Sequence, residues 1–166
     1  MIISLPKSVT RKAVEVLVPL DEPLCKLSRI TGGVLAYNCN GKIVGQIFKD
    51  TKKSVRVSVA DGGTLIVTRT DNGVDIKDVT FDEKENRGIN KVIKKRSFNA
   101  EEFLTYGDVY KSQYQLFLRK KGEVKPILAF NVVQHPLDDD VINVKVNDGM
   151  NVLWVILLTS AIEILR

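Results

Sequence analysis

Three groups of basic residues are the strongest chemical feature of the chain. Lys91, Lys94, Lys95 and Arg96 crowd one stretch, Lys49, Lys52 and Lys53 form a second, and Arg119, Lys120 and Lys121 a third. Ammonium and guanidinium groups gathered in this way hold phosphate oxygens by charge and hydrogen bonds. Near an anionic membrane each contributes roughly 1 kcal/mol. Lys52, Lys53, Lys91, Lys94, Lys95 and Arg96 are therefore the candidate ligands for an anionic headgroup. The competing reading is a merely solvated basic surface, which a net charge of only +5 also permits.

Other chemistries find less support. His135 is the single histidine and precedes Pro136, with no cysteine or nucleophile motif beside it. No HExxH, P-loop, Rossmann glycine pattern or CxxC occurs. No catalytic residue, metal ligand or cofactor is expected. Cys25 and Cys39 lack metal-ligand spacing and read as two reduced, at least partly buried thiols of a cytosolic protein. Nucleic acid is the rival partner for the basic charge, but aromatic residues are only 7% of the chain and no polar recognition helix is visible. It ranks below lipid. The opening MIISLPKSVTRK has too short an apolar run for a secretory leader, and its charges follow that run.

The elements that must position these residues are mostly strands. AVEVLV (13–18) alternates loosely, and SVRVSV (54–59) alternates cleanly, with Val55, Val57 and Val59 on one face. Asn40-Gly41, Asp61-Gly62-Gly63 and Asp71-Asn72-Gly73 each separate two apolar-patterned runs, predicting a meander of hairpins. One strand is expected around Ile89 to Ile93, and a loop or short helix near Asn99 to Leu104. YQLFLRKKGEVKPILAF reads as another hairpin bent at Lys121-Gly122, with Pro126 marking an edge or a bulge. VINVKV (141–146) is the last alternating run. The total is ten to twelve strands with no helical crossover between them, pointing to an antiparallel sandwich or barrel.

The final segment, NVLWVILLTSAIEILR, differs. From Val152 to Ile162 only Thr159 and Ser160 are polar, and with Glu163 they form a thin stripe on an otherwise apolar helix. Asp148 is the expected N-cap. Such a helix must be buried on all sides. A membrane span needs about 20 predominantly apolar residues, and Glu163 interrupts this run first, so a core helix is expected over a tail anchor. A large antiparallel barrel with the helix along its axis would cover the whole circumference.

This pattern resembles the tubby C-terminal-like superfamily, closest to the LURP-one-related proteins and their small bacterial relatives, and more distantly the phospholipid scramblases. NVKVNDGMNVLWVILLTSAIEIL is similar to the family's closing signature: Gly149 matches its glycine, Glu163 its closing acid, and Asn151 stands where an Asp is usual. VLAYNCNGKIVGQIF resembles its strand-turn-strand, the second strand beginning x-x-V-G-x-I. The resemblance implies a mainly β (α+β) fold: a closed antiparallel β-barrel of about twelve strands around a central hydrophobic C-terminal helix, with residues 1–166 as one domain. It implies no conserved chemistry. HPLDDDV (135–141) is similar to the scramblases' acidic calcium-binding segment. However, Asp138, Asp139 and Asp140 are consecutive and lack the alternating oxygens of a calcium loop, so a solvated acidic turn is expected.

The functional expectation is a non-enzymatic module that binds anionic phospholipid, or another phosphorylated ligand, at a basic barrel mouth. The alternative is a protein-interaction or scaffold barrel without a small ligand. The expected location is the cytoplasm, peripheral at the inner membrane surface, with no transmembrane span.

Overall fold

The computed structural model describes residues 1–7, 15–60, 62–79 and 100–166, without the side chain of Glu101. Twelve strands and one helix lie in these residues. The strands are β1 (Ile2–Pro6), β2 (Glu15–Val18), β3 (Cys25–Ile30), β4 (Gly33–Tyr37), β5 (Ile43–Thr51), β6 (Ser54–Val59), β7 (Thr64–Thr70), β8 (Gly73–Asp78), β9 (Ala100–Asp108), β10 (Gln113–Lys120), β11 (Ile127–Gln134) and β12 (Val141–Val146). The helix α1 spans Val152–Leu165, and a 3-10 turn covers Val109–Lys111.

All pairing is antiparallel, in two sheets. One has the order β1-β12-β11-β10-β9, and the other is the meander β2-β3-β4-β5-β6-β7-β8. The meander follows from its turns. Gly41 takes φ +77° after Asn40, and the Asn38 side chain accepts from the amides of Asn40 and Lys42, both at 3.0 Å. Alternation does the rest: Val55, Val57, Leu65 and Val67 all turn to the core.

The expected closed barrel is not found. The ladders end at β1 and β9 in one sheet and at β2 and β8 in the other. Each seam is crossed by irregular bonds instead. At the first, β2 stops at Val18, before Pro19, which has no N–H to donate. The Leu20 amide then reaches the Ser4 carbonyl at 2.9 Å, and Asp21 Oδ1 accepts from the Ser4 amide at 3.3 Å. At the second, the Tyr110 hydroxyl donates to the Thr70 carbonyl at 2.8 Å.

Three further expectations are corrected. Residues from Ala100 form strand β9, not a short helix, because pairing along β10 from Gln113↔Asp108 to Lys120↔Ala100 overrides a weak local pattern. Pro126 precedes β11, which is an inner strand and not an edge; the other half of that expectation holds, because the register against β10 slips by one residue on β11 between Leu116↔Phe130 and Phe117↔Leu128. The N-cap of α1 is Asn151, whose side chain accepts from the Trp154 amide at 3.2 Å, since Gly149 at φ +83° turns the chain after Asp148. The strand expected at Ile89 to Ile93 lies outside the described residues.

Every position of α1 from Trp154 to Glu163 is buried. At 100° per residue that run covers the whole circumference, so the helix is enclosed on all sides. Its side chains join one buried cluster with Ile3, Leu5, Leu116 and Val144 of the first sheet and Leu27, Ile47 and Val57 of the second. Gly45 explains itself here: a Cβ at that position would come within 2.5 Å of Leu157 Cδ1, so the glycine lets β5 lie against the helix. Among the described residues no helix is long and apolar enough to cross a membrane.

Strand direction sorts the loops into two ends. The turns after β3, β5 and β7, the 3-10 turn and the C-terminus of α1 share one end, called here the Gly32 end. The bends after β2, β4, β6 and β10 and the start of α1 lie at the other, the Met1 end.

Candidate functional site at the Gly32 end

Inward register extends past the core at the Gly32 end, and the residues there are cations. Along β3 the buried Cys25 and Leu27 are followed at the same parity by Arg29. Along β5, Gly45 and Ile47 are followed by Lys49, and along β7, Leu65 and Val67 by Arg69. Three strands running the same way thus present three basic residues around the inner rim. Arg29 and Lys49 line one open cavity of about 220 Å³, together with Gly32, Ile47 and Ile164 of α1. Among the described residues no carboxylate lines it.

The outer face of the same strands is neutralised differently. Asp50 and Arg56 pair at 3.6 Å on the surface. Among the described residues Arg29 and Lys49 make no ion pair and are left available to an anion.

Beneath this rim the helix is locked to the 3-10 turn. Ser112 sits at φ +55°, a left-handed conformation that is costly for a residue with a Cβ. It is held there by donating Oγ–H to Glu163 Oε1 at 3.0 Å and accepting from Arg166 Nη1 at 3.0 Å. Arg166 Nη1 also donates to the Tyr110 carbonyl at 3.2 Å. Arg166 Nε faces Glu163 Oε2 at 3.3 Å, an ion contact without hydrogen-bond alignment. Glu163, the closing acid of the sequence pattern, is thus a buried and paired structural group. Two residues along β10, the buried Tyr114 hydroxyl has no described partner, and neither does the Thr159 hydroxyl. Burial first, and then the Glu163 carboxylate, push the Tyr114 pKa well above its usual value, partly offset by Arg166.

The sequence-derived candidates divide. Lys52 and Lys53 form the exposed turn between β5 and β6, at the Gly32 end beside Lys49. Lys91, Lys94, Lys95 and Arg96 lie outside the described residues. Lys120 and Lys121 stand at the Met1 end, so the second and third basic groups do not share a mouth. Arg119 is paired with Glu102 at 3.2 Å. Sequence reading missed Arg29 and Arg69, although their signal was present: each continues the inward alternation by one step.

The remaining candidates lie apart from this rim or make only local contacts. His135 Nδ1 accepts from the Leu137 amide at 3.1 Å within the loop between β11 and β12. Asp138 accepts from the Asp140 amide at 2.9 Å in that loop, closing a local turn. Among the described residues no three acidic, cysteine or histidine side chains are placed to hold a metal ion. Cys25 is buried, and its burial raises the thiol pKa to about 11. Cys39 is exposed, contrary to expectation, because it lies in the turn after β4.

No family model matches the chain. No curated protein matches it. A crystal structure of a protein from Arabidopsis thaliana is similar in fold, with a TM-score of 0.58 at 12% identity over 99% of this chain and 89% of that one. At that identity the likeness extends to the fold alone.

Proposed function

We propose that this chain is a non-enzymatic binding module with a tubby-like architecture, open along two seams, which holds a phosphorylated ligand at the Gly32 end. The ligand is an anionic phospholipid headgroup or a soluble phosphate ester of the same chemistry. One observation carries the reading: among the described residues Arg29 and Lys49 are unpaired and line a cavity that has no carboxylate in its wall. Lys52 and Lys53 add charge beside it. Guanidinium supplies a planar fork for phosphate oxygens and ammonium a mobile point charge. If the ligand is lipid, the module works peripherally at the cytoplasmic face of a membrane.

Vesicle co-sedimentation tests this at low salt, comparing vesicles of neutral phosphatidylcholine with vesicles containing anionic lipid. The protein should pellet only with the anionic ones. At roughly 1 kcal/mol per basic residue, the double variant Arg29→Gln/Lys49→Gln should bind about thirtyfold more weakly. A soluble inositol polyphosphate should compete if phosphate groups alone are recognised, and fail to compete if the bilayer is needed. Absence of binding to either probe, or binding unchanged in the double variant, overturns the proposal.

A further inference from the structure

The Met1 end carries a second cleft of opposite character, and it lies in the seam where β1 and β2 fail to pair. Its volume is about 290 Å³, and its walls include Ile2, Ile3, Leu24 and Val152, with the carboxylates of Asp21 and Glu22 on the lip. Ile2 is 63% exposed and Leu24 51% exposed, so the cleft opens onto an apolar surface. The volume falls just below the ~300–1,000 Å³ usual for small-molecule sites. It suits one or two inserted side chains better than a whole organic ligand.

The strand beside the cleft has one free position on its edge. Met1 O accepts from the Val146 amide at 2.8 Å, which sets the odd-numbered residues of β1 toward β12. The even-numbered residues turn their N–H and C=O groups toward the seam. Those of Ser4 are taken by Leu20 and Asp21. Those of Ile2, next to the cleft, have no described partner. An unpaired strand edge is a template for another strand.

We propose that this seam is a docking site for an extended peptide segment of a partner protein. The segment pairs with β1 at Ile2, places an aliphatic side chain in the cleft, and sets a Lys or Arg beside Glu22. The charge selects this occupant. Asp21 is already engaged with Ser4, but Glu22 has no ion-pair partner among the described residues, and the Met1 ammonium is turned to the Val146 carbonyl at 3.4 Å. Two carboxylates on the lip repel the headgroup of an anionic lipid and attract a cation. The site is independent of the phosphate-binding reading, which concerns the opposite end of α1.

Selection of random twelve-residue peptides displayed on phage against the intact protein tests the proposal, followed by fluorescence anisotropy with the most enriched synthetic peptide. Enriched peptides should carry Lys or Arg adjacent to an aliphatic residue. Leu24→Asp and Glu22→Lys should each weaken the peptide by about tenfold or more. Both positions are exposed, so their melting temperatures should match the parent, confirming that the loss is local. The proposal is overturned if no peptide is enriched, if acidic peptides are, or if neither variant matters. It is equally overturned if Leu24→Asp instead abolishes a concentration-dependent dimer or adsorption to neutral vesicles, since the occupant would then be a second copy or a bilayer.

Discussion

The two ends of α1 are finished by different physics. Its C-terminus is clamped by charge: Glu163 is buried, Arg166 faces it, and Ser112 bridges the two in a strained backbone conformation. Its N-terminus is held by one neutral cap from Asn151 and opens onto an apolar cleft. The rims differ in the same sense, with inward-facing cations at the Gly32 end and carboxylates on the lip at the Met1 end. An enclosed apolar rod thus gives one core two chemically distinct mouths. The locked end can hold Arg29 and Lys49 in fixed register, whereas the open seam leaves strand groups unpaired.

Substitutions along the rod separate these roles. Leu157→Ala, in the fully buried middle, should cost about 2–5 kcal/mol by emptying the space over Gly45. Denaturant unfolding would show this as a lower midpoint at unchanged slope. Arg166→Ala should cost about 3 kcal/mol, because it leaves the Glu163 carboxylate buried beside Ser112 alone. Asn151→Ala should cost only about 1 kcal/mol. Equal losses at Arg166 and Asn151 would erase the contrast between the two ends.

Alkaline pH probes both ends more gently, through Tyr114 beside the locked end and Cys25 toward the Met1 end. Cys25 and Tyr114 both have raised folded pKa values, so above their ordinary values the unfolded chain releases protons first and stability falls. Stability is intact below the ordinary thiol pKa of about 8.5, and declines as pH rises toward about 11, the folded value of Cys25. Tyr114→Phe should flatten the part of that slope that begins near the ordinary tyrosine pKa of about 10. Melting temperature followed across pH 8 to 11 checks this. A thiol reagent at neutral pH should modify Cys39 quickly and Cys25 only on unfolding.

Much of this was written in the sequence. SVRVSV and VINVKV become strands over the same residues because alternation specifies one buried face, and TLIVTRT does so between its two glycine turns. The apolar tail becomes a helix buried all round, because no amphipathic alternative exists for it. What stayed hidden is long-range. Strand β1 pairs with β12 across nearly the full chain, and β9 gains its form from β10. The two seams depend on single bonds such as Leu20 to Ser4, which leave no periodic trace. The cationic rim was half legible: Lys49 stood in a visible cluster, but Arg29 is alone in sequence and joins it only through the register that sets Arg29 opposite Val34 and Val34 opposite Ile47.

The central claim is that position on the inner rim, rather than net positive charge, makes the Gly32 end a phosphate site. The direct measurement is anionic-vesicle affinity for two double reversals that lower the net charge equally, Arg29→Glu/Lys49→Glu and Lys120→Glu/Lys121→Glu. The first should lose binding by well over tenfold while the second stays near the parent; equal losses in both, or a loss only in the second, would contradict the account.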